Sequence, residues 1–417
     1  MPINLISAER AERIAAIAKD GIDLQKGRLT PTPKPFWAGL RALGSELWLD
    51  TGDIEAANPL YSSEFTALTT NNTLLNKEVQ KGIYDELIQR VAGDLSDLDM
   101  QTRVIEIAFI LNARHGLRLA QRFGGKISVE LHTDLANDAA ASLAYGRRYF
   151  AICPEHFIIK IPLTPAGLIA MRNLRAEGIP DNFTLGFSAR QNYLAAAFAK
   201  PSYVNVFLGR LNAYVADNKL GDGRNVGEKA MLASQRAVTK VSGGATKHIA
   251  ASLRGAQQIA DLAGVDVFTI PTAVAASAIK ELDGTWRSRL GDDPAVTWAS
   301  GVDAKALRSQ VIWDISPADA ALATSLTKQP PRTAEELVER ARGCQLGDLF
   351  PAFTAADNKR LSDDGKIAKH AAWAPRIANG EMAIDSLLTA SAFYSFTADQ
   401  AQLDERIRKY MVGSSRA

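Results

Sequence analysis

The chain has 417 residues, and its 48 lysines and arginines almost balance its 46 aspartates and glutamates, leaving a formal net charge of +2. A surface without a strong field of one sign argues against a nucleic acid as the main partner. Hydrophobic residues make up 47% and charged residues 23% of the sequence, as in ordinary globular proteins, so disorder over most of the chain is excluded.

The cysteines and histidines give no sign of a metal centre. Two cysteines, Cys153 and Cys344, are too few for a disulfide framework or a metal cluster of the cysteine type. The five histidines lack the spacing of metal ligands. We therefore expect no metal. The glycine-rich stretches at 221–227 and 243–247 do not match the dinucleotide-binding or Walker motifs, so no cofactor is expected either.

The amino-terminal region is polar within a few residues and lacks the apolar core of a signal peptide. The sequence also has no run of about 18 apolar residues, so we expect a cytoplasmic protein without membrane contact. Ser7 and Glu9, followed by an apolar stripe, predict a helix start, and Pro31, Pro33 and Pro35 predict its end. These signals together predict a helical segment over residues 1–45.

Eight short apolar runs follow, and their β-branched and aromatic residues are typical of buried parallel strands. They cover residues 46–50, 65–71, 126–132, 157–163, 182–188, 203–208, 247–254 and 266–271. Helical patterns lie between them, at residues 165–178, 189–200 and 255–264, and residues 72–125 are long enough for two or more helices. Alternation of strand and helix predicts a parallel sheet, and eight strands fit a closed (β/α)₈ TIM barrel. An open doubly wound sheet is the competing arrangement.

The barrel accounts for only part of the chain. We expect it to span residues 46–281, followed by an insertion or extension of unknown role at 282–360. Residues 361–417 are expected to form C-terminal helices that pack on the barrel, with a strong helical pattern at 399–410.

Polar residues near the ends of the apolar runs are the candidate site, because function gathers at the carboxyl ends of barrel strands. Burying such groups is costly unless they are paired or react. The candidates are Asp50, Asn71, Glu130, Lys160, Asn182, Thr184, Asn205, Arg210, Ser252 and Arg254.

Lys160 carries the most weight because Phe157, its nearest isoleucines and Leu163 surround it with apolar side chains. Burial disfavours an ammonium ion, so a lowered pKa and attack on a carbonyl to form a Schiff base are expected. The alternative is a structural ion pair between Lys160 and Glu130. The residues alone do not decide between the two.

Asp50 and Glu130 could divide the proton transfers of such a reaction, with a water held by Thr184. Asp50 could instead cap a helix. Arg210 and Arg254 present the forked donors that match phosphate, although surface salt bridges are the alternative for both.

Seven segments in this order resemble the transaldolase family, over residues 45–280 with a weaker likeness in the tail. They are Leu47-Trp-Leu-Asp-Thr-Gly-Asp53, Leu68-Thr-Thr-Asn71, Ser128-Val-Glu130, Ile159-Lys-Ile-Pro162, Asn182-Phe-Thr-Leu185, Phe207-Leu-Gly-Arg210 and Ala251-Ser-Leu-Arg254. Asn205 stands where the family usually has serine, and Asn72 where it usually has proline.

The resemblance implies a (β/α)₈ barrel that transfers a dihydroxyacetone unit from a ketose phosphate, such as sedoheptulose 7-phosphate or fructose 6-phosphate, to an aldose phosphate. Lys160 would form the Schiff base, Asp50 would take the C4 hydroxyl proton, and Glu130 and Thr184 would manage the water. The remaining residues would bind the substrate: Asn71, Asn182, Asn205 and Phe207 at the carbon chain, and Arg210, Ser252 and Arg254 at the phosphate.

The resemblance further implies sugar phosphates as partners, a place in the pentose phosphate pathway, and a monomer or homodimer. Three alternatives stay open at this point. The protein could be a related Schiff-base aldolase that releases free dihydroxyacetone, although Glu130 argues against that branch. It could also be a transaldolase for a specialised sugar, or a non-catalytic barrel used for assembly.

Overall fold

The computed structural model describes residues 3–412, in which eight parallel strands pair in chain order and β8 pairs with β1. The strands are β1 (Glu46–Asp50), β2 (Phe65–Thr69), β3 (Lys126–Glu130), β4 (Phe157–Pro162), β5 (Asp181–Thr184), β6 (Tyr203–Phe207), β7 (Lys247–Ala251) and β8 (Val267–Pro271). The predicted (β/α)₈ barrel is therefore confirmed, and the open sheet is excluded.

Several strands end earlier than the apolar runs predict, because the residues after them turn into loops. Asn71 follows β2 and caps the next helix through its side chain. Ser252 follows β7 and has a left-handed backbone, with φ of 63°. Both residues therefore lie at the barrel mouth, beyond the hydrogen-bonded strands.

The described residues form eighteen α-helices and four short 3₁₀ helices. The α-helices are α1 (Ala8–Lys19), α2 (Pro35–Ala42), α3 (Ile54–Ala57), α4 (Asn72–Gln80), α5 (Asp85–Asp94), α6 (Met100–Phe123), α7 (Ala139–Ile152), α8 (Pro165–Ala176), α9 (Ala189–Phe198), α10 (Leu208–Asp217), α11 (Val226–Ser242), α12 (Gln257–Asp261), α13 (Thr272–Glu281), α14 (Pro317–Lys328), α15 (Ala334–Gly343), α16 (Ala355–Asp364), α17 (Ala374–Ala378) and α18 (Ile384–Val412). The 3₁₀ helices are Thr133–Leu135, Ser309–Ile312, Gly347–Leu349 and His370–Ala372.

Local capping explains where the helices begin. Ser7 accepts a hydrogen bond from the backbone of Arg10 at the start of α1, and Thr164 and Ser188 cap α8 and α9 in the same way. The helix predicted at 255–264 shrinks to α12, where no described side chain caps the first turn. The tail helix predicted at 399–410 is instead part of the longer α18.

Segments before and after the barrel meet near the amino ends of the strands. Trp37 of α2 is fully buried and packs edge-on against Phe65, the first residue of β2. Trp286, which follows the barrel in sequence, packs on Phe36 and donates an indole hydrogen bond to its carbonyl oxygen at 2.8 Å. The aromatic contacts fix both segments to the barrel.

The C-terminal segment is tied to the barrel by buried charges. Arg190, in the first turn of α9, makes two hydrogen bonds to Asp385 of α18, at 2.7 and 2.8 Å, and a third to Asp348 at 3.1 Å. All three side chains are almost inaccessible, and Ser188 also donates to Asp385. Because each charge is paired, this network fixes the position of α18, which also packs on α4, α5, α6 and α16.

Replacing Arg190 with leucine is expected to destabilise the protein by about 3–5 kcal/mol, because the buried Asp385 loses its cation and Asp348 keeps only its pair with Arg308. Urea unfolding measures the change. The matched control is Arg147→Leu, which removes an exposed ion pair to Glu177 and is expected to cost less than about 1 kcal/mol. Equal losses in both variants would contradict the role of the buried network.

Candidate active site

A cavity of about 170 Å³ opens at the carboxyl ends of the strands. Eight of the predicted site residues line it: Asp50, Asn71, Lys160, Asn182, Asn205, Phe207, Arg210 and Ser252. Glu130 and Thr184 are buried beside this group, whereas Arg254 is exposed. The barrel thus brings together side chains that are up to 202 positions apart in the sequence, from residue 50 to residue 252.

Lys160 and Glu130 are register partners on β4 and β3, and their side chains form an ion pair at 3.2 Å. Both are 2% exposed. The lysine Nζ also donates to the carbonyl oxygen of Thr70 at 3.3 Å. Burial raises the pKa of Glu130, and the lysine charge opposes that rise in part. The ion pair considered as an alternative therefore exists, but it joins neighbouring strands and lies beside the cavity.

Asp50 ends β1 and lines the same cavity. Burial raises its pKa to about 6, the charge of Lys160 opposes the rise, and the charge of Glu130 adds to it. Asp50 is not a helix cap, because Asp53 caps α3 by accepting a hydrogen bond from Ala56. An aspartate with a raised pKa, near a second carboxylate and a lysine, is typical of acid–base chemistry.

Amide side chains form a ladder across β3, β5 and β6. Asn182 donates to the Ser128 hydroxyl at 3.1 Å, and Asn205 donates to the Asn182 side-chain oxygen at 3.3 Å. The Asn205 oxygen accepts from the backbone of Gly186 at 3.3 Å. The ladder fixes the orientation of both amides next to Lys160, because β4 and β5 pair Lys160 with Asn182.

Thr184 lies two residues beyond Asn182, on the same face of β5. It is fully buried, and within residues 3–412 its hydroxyl has no hydrogen-bond partner. A buried hydroxyl normally finds a partner, so this position suits an ordered water.

Arg210 lies in the first turn of α10 and is 7% exposed. It donates to the carbonyl oxygen of Lys366 at 3.2 Å and to the Ser395 hydroxyl at 3.5 Å, and no carboxylate of the described chain forms an ion pair with it. Burial and the charge of Arg254 lower the pKa of Arg210 to about 10, against the opposing charge of Asp399. A buried guanidinium without a carboxylate can bind an anion.

The three residues predicted to hold a phosphate are not together. Ser252 lines the cavity beside Arg210, but Arg254 lines a separate surface groove with Gly209 and Asn212. A β-carbon on Gly209 would lie 2.1 Å from the Ser252 carbonyl oxygen and 2.8 Å from the Arg254 side chain. Glycine at 209 therefore lets these two segments approach each other closely.

Three residues from the C-terminal segment lie at the site and were not among its predicted residues. Phe396 and Lys366 line the cavity, and Ser395 contacts Arg210. The sequence predicts C-terminal helices over 361–417 that pack on the barrel, but it assigns none of these three residues to the site. The apolar pattern upstream of 399, which belongs to the longer α18, was the signal that could have extended the tail helix toward the cavity.

The comparisons with known proteins agree with this geometry. A family model described as transaldolase/fructose-6-phosphate aldolase matches residues 47–311. The chain belongs to this family. A transaldolase of Xanthomonas euvesicatoria pv. vesicatoria is 34% identical over 259 residues, covering 58% of this chain and 77% of that protein. A probable transaldolase of Thermus thermophilus is 34% identical over 238 residues, covering 56% of this chain and 91% of that protein.

Membership in the transaldolase/fructose-6-phosphate aldolase family, with relatives of these names, makes the protein an enzyme, a transferase of the transaldolase type. The family implies sugar phosphates as substrates. Within residues 3–412, no three His, Cys, Asp or Glu side chains cluster as metal ligands. None of the described helices is both long and apolar enough to cross a bilayer.

The raised pKa of Asp50 predicts that this carboxylate lowers stability. Above the unfolded pKa of 3.8 the buried charge has a cost that grows until about pH 6 and is constant above it. Asp50→Asn is therefore expected to stabilise the protein at pH 8 by roughly 1–3 kcal/mol, measured by urea unfolding.

The matched control is Asp53→Asn, whose carboxylate has a lowered pKa because Lys81 and the α3 backbone donate to it. That variant should be slightly less stable than the native protein. A loss of stability in Asp50→Asn would contradict the assignment of a raised pKa.

Proposed function

We propose that the protein is a transaldolase that moves a dihydroxyacetone unit from a ketose phosphate to an aldose phosphate through a Schiff base on Lys160. Sedoheptulose 7-phosphate and fructose 6-phosphate are the proposed donors. The observation that carries the proposal is the buried Lys160–Glu130 pair at 3.2 Å, beside a cavity that Asp50 also lines.

The first step is attack of the neutral Lys160 amine on the C2 carbonyl of the ketose, which forms a carbinolamine. Glu130 is the group placed to take a proton from the amine and return it to the departing hydroxyl, which leaves as water. Its raised pKa suits this exchange, because the carboxyl gains a proton more readily than an exposed glutamate. The hydroxyl of Thr184 is proposed to hold that water.

Asp50 is proposed to accept the C4 hydroxyl proton while the C3–C4 bond breaks. The bond electrons move into the iminium, giving an enamine, and the aldose phosphate leaves. The enamine then attacks the carbonyl of a second aldose phosphate, Asp50 returns the proton, and hydrolysis of the new iminium frees Lys160. Asn71 and Asn182 are proposed to bind the three-carbon unit, with Asn205 and Phe207 shaping its pocket. Arg210 and Ser252 are proposed to hold the phosphate, and Arg254, whose charge lowers the pKa of Arg210, adds positive charge from the neighbouring groove.

Borohydride reduction in the presence of fructose 6-phosphate is expected to attach a reduced dihydroxyacetone unit to Lys160, located by peptide mass mapping. Lys160→Ala should lose the adduct and nearly all turnover. Lys126→Ala is the control, since Lys126 begins β3 at the opposite end of the barrel and is exposed. Absence of the adduct with every ketose phosphate tested would refute the proposal.

The rate of carbon–carbon cleavage is expected to rise with pH through about 6, because Asp50 accepts a proton only as a carboxylate. Single-turnover rates across pH 4.5–8 test this, and Asp50→Asn should be slow throughout. A native rate that does not change between pH 5 and 7 would remove Asp50 from this role.

A related Schiff-base aldolase is the second candidate, because the matching family description names fructose-6-phosphate aldolase as well. Release of free dihydroxyacetone without an acceptor separates the two activities. The presence of Glu130 favours the transferase.

Four further points stay predictions from the sequence. They are a cytoplasmic location, a place in the pentose phosphate pathway, a monomeric or homodimeric state, and the domain limits at 45, 281 and 360.

A further inference from the structure

Phe396 of α18 is close to both cationic groups of the active site. Its ring centroid is 5.9 Å from Lys160 Nζ and 5.5 Å from the Arg210 guanidinium carbon. Both distances are within the range of a cation–π contact. The ring is therefore close to both the proposed reacting amine and the proposed anion-binding group.

The position of this ring is well fixed. Phe396 is 6% exposed and packs edge-on against Phe207, which packs in turn against Phe187. Ser395, its neighbour in sequence, contacts Arg210 directly. The buried pair of Arg190 and Asp385 fixes α18 three turns earlier in the helix.

The cavity is small, at about 170 Å³, and Phe396 is one of its largest lining side chains. A substrate whose carbonyl reaches Lys160 and whose phosphate reaches Arg210 therefore contacts this ring. The number of carbons between those two groups therefore has to match the space that the ring leaves. Phe396 also lies outside residues 47–311, the segment that matches the family.

We propose that Phe396 is a specificity-determining residue that selects the chain length of the phosphorylated donor. This inference depends on the proposed function, since it takes Lys160 as the group that binds the donor carbonyl. The ring limits the separation between carbonyl and phosphate, so a six-carbon donor is favoured over a seven-carbon donor. Removing the ring lets the longer donor bind.

The test mixes fructose 6-phosphate and sedoheptulose 7-phosphate in equal amounts with enzyme and borohydride. Cleavage of the six-carbon donor releases glyceraldehyde 3-phosphate, and cleavage of the seven-carbon donor releases erythrose 4-phosphate. Borohydride reduces these aldehydes to glycerol 3-phosphate and erythritol 4-phosphate, which are the products measured. The ratio of the two products, measured by mass spectrometry, reports donor choice in a single turnover. Phe396→Ala is expected to shift this ratio about tenfold toward erythritol 4-phosphate.

Phe393→Ala is the matched control, because Phe393 lies one turn away on α18 and lines a neighbouring cavity with Leu163 and Phe353. Its product ratio should stay within about twofold of the native value. An unchanged ratio in Phe396→Ala, or an equal shift in Phe393→Ala, overturns the proposal. If circular dichroism shows that Phe396→Ala does not fold, Phe396→Leu removes the ring with less loss of volume and is judged by the same ratio.

The two proposals fail differently. If the native protein forms no borohydride adduct on Lys160 with either donor, the proposed function fails. If the adduct forms and the product ratio is the same with and without the ring, only the role of Phe396 fails.

Discussion

The buried ion pair of Lys160 and Glu130 is the interaction on which the rest of the site depends. Two charges removed from water are stable only when they are paired and further hydrogen-bonded. Here Glu130 of the adjacent strand pairs with Lys160, and the carbonyl oxygen of Thr70, just after β2, accepts a hydrogen bond from the lysine. The register of β3, β4 and β5 places Glu130, Lys160 and Asn182 side by side. Barrel closure then brings Asp50 of β1 to the same cavity, where burial raises its pKa to about 6.

The carboxylates in this protein are used in two ways. Asp385 and Asp348 are buried against Arg190 and hold the C-terminal segment on the barrel. Asp50 is half-buried at the cavity without a hydrogen-bonded cation, and desolvation raises its pKa. The first arrangement gives stability, whereas the second gives up stability for a group that exchanges protons near neutral pH.

Much of the barrel could be predicted from the sequence, because each strand is a short apolar run and each helix has local signals such as Ser7, Thr164 and Ser188. Most of the cavity-lining residues could also be predicted, because they are polar residues near the ends of those apolar runs. The outward position of Arg254 could not be predicted, since it depends on the loop after β7 and its contact with Gly209.

The contacts of the C-terminal segment with the barrel and the cavity could not be predicted from the sequence either. Arg190 and Asp385 are separated by 195 positions, and no local pattern in either segment indicates that they pair. The same holds for Phe396 and Lys160. Periodicity reports which face of an element is buried, but it carries no information about which distant element covers that face.

The tie between α9 and α18 also affects how the protein is made. Lys160 and all eight strands precede α18 in the chain, so the ribosome completes them before α18, which begins at Ile384. A chain on the ribosome that has already closed its barrel would therefore hold Lys160 in a cavity that α18 does not yet line. The cavity is complete only when α18 docks onto Arg190.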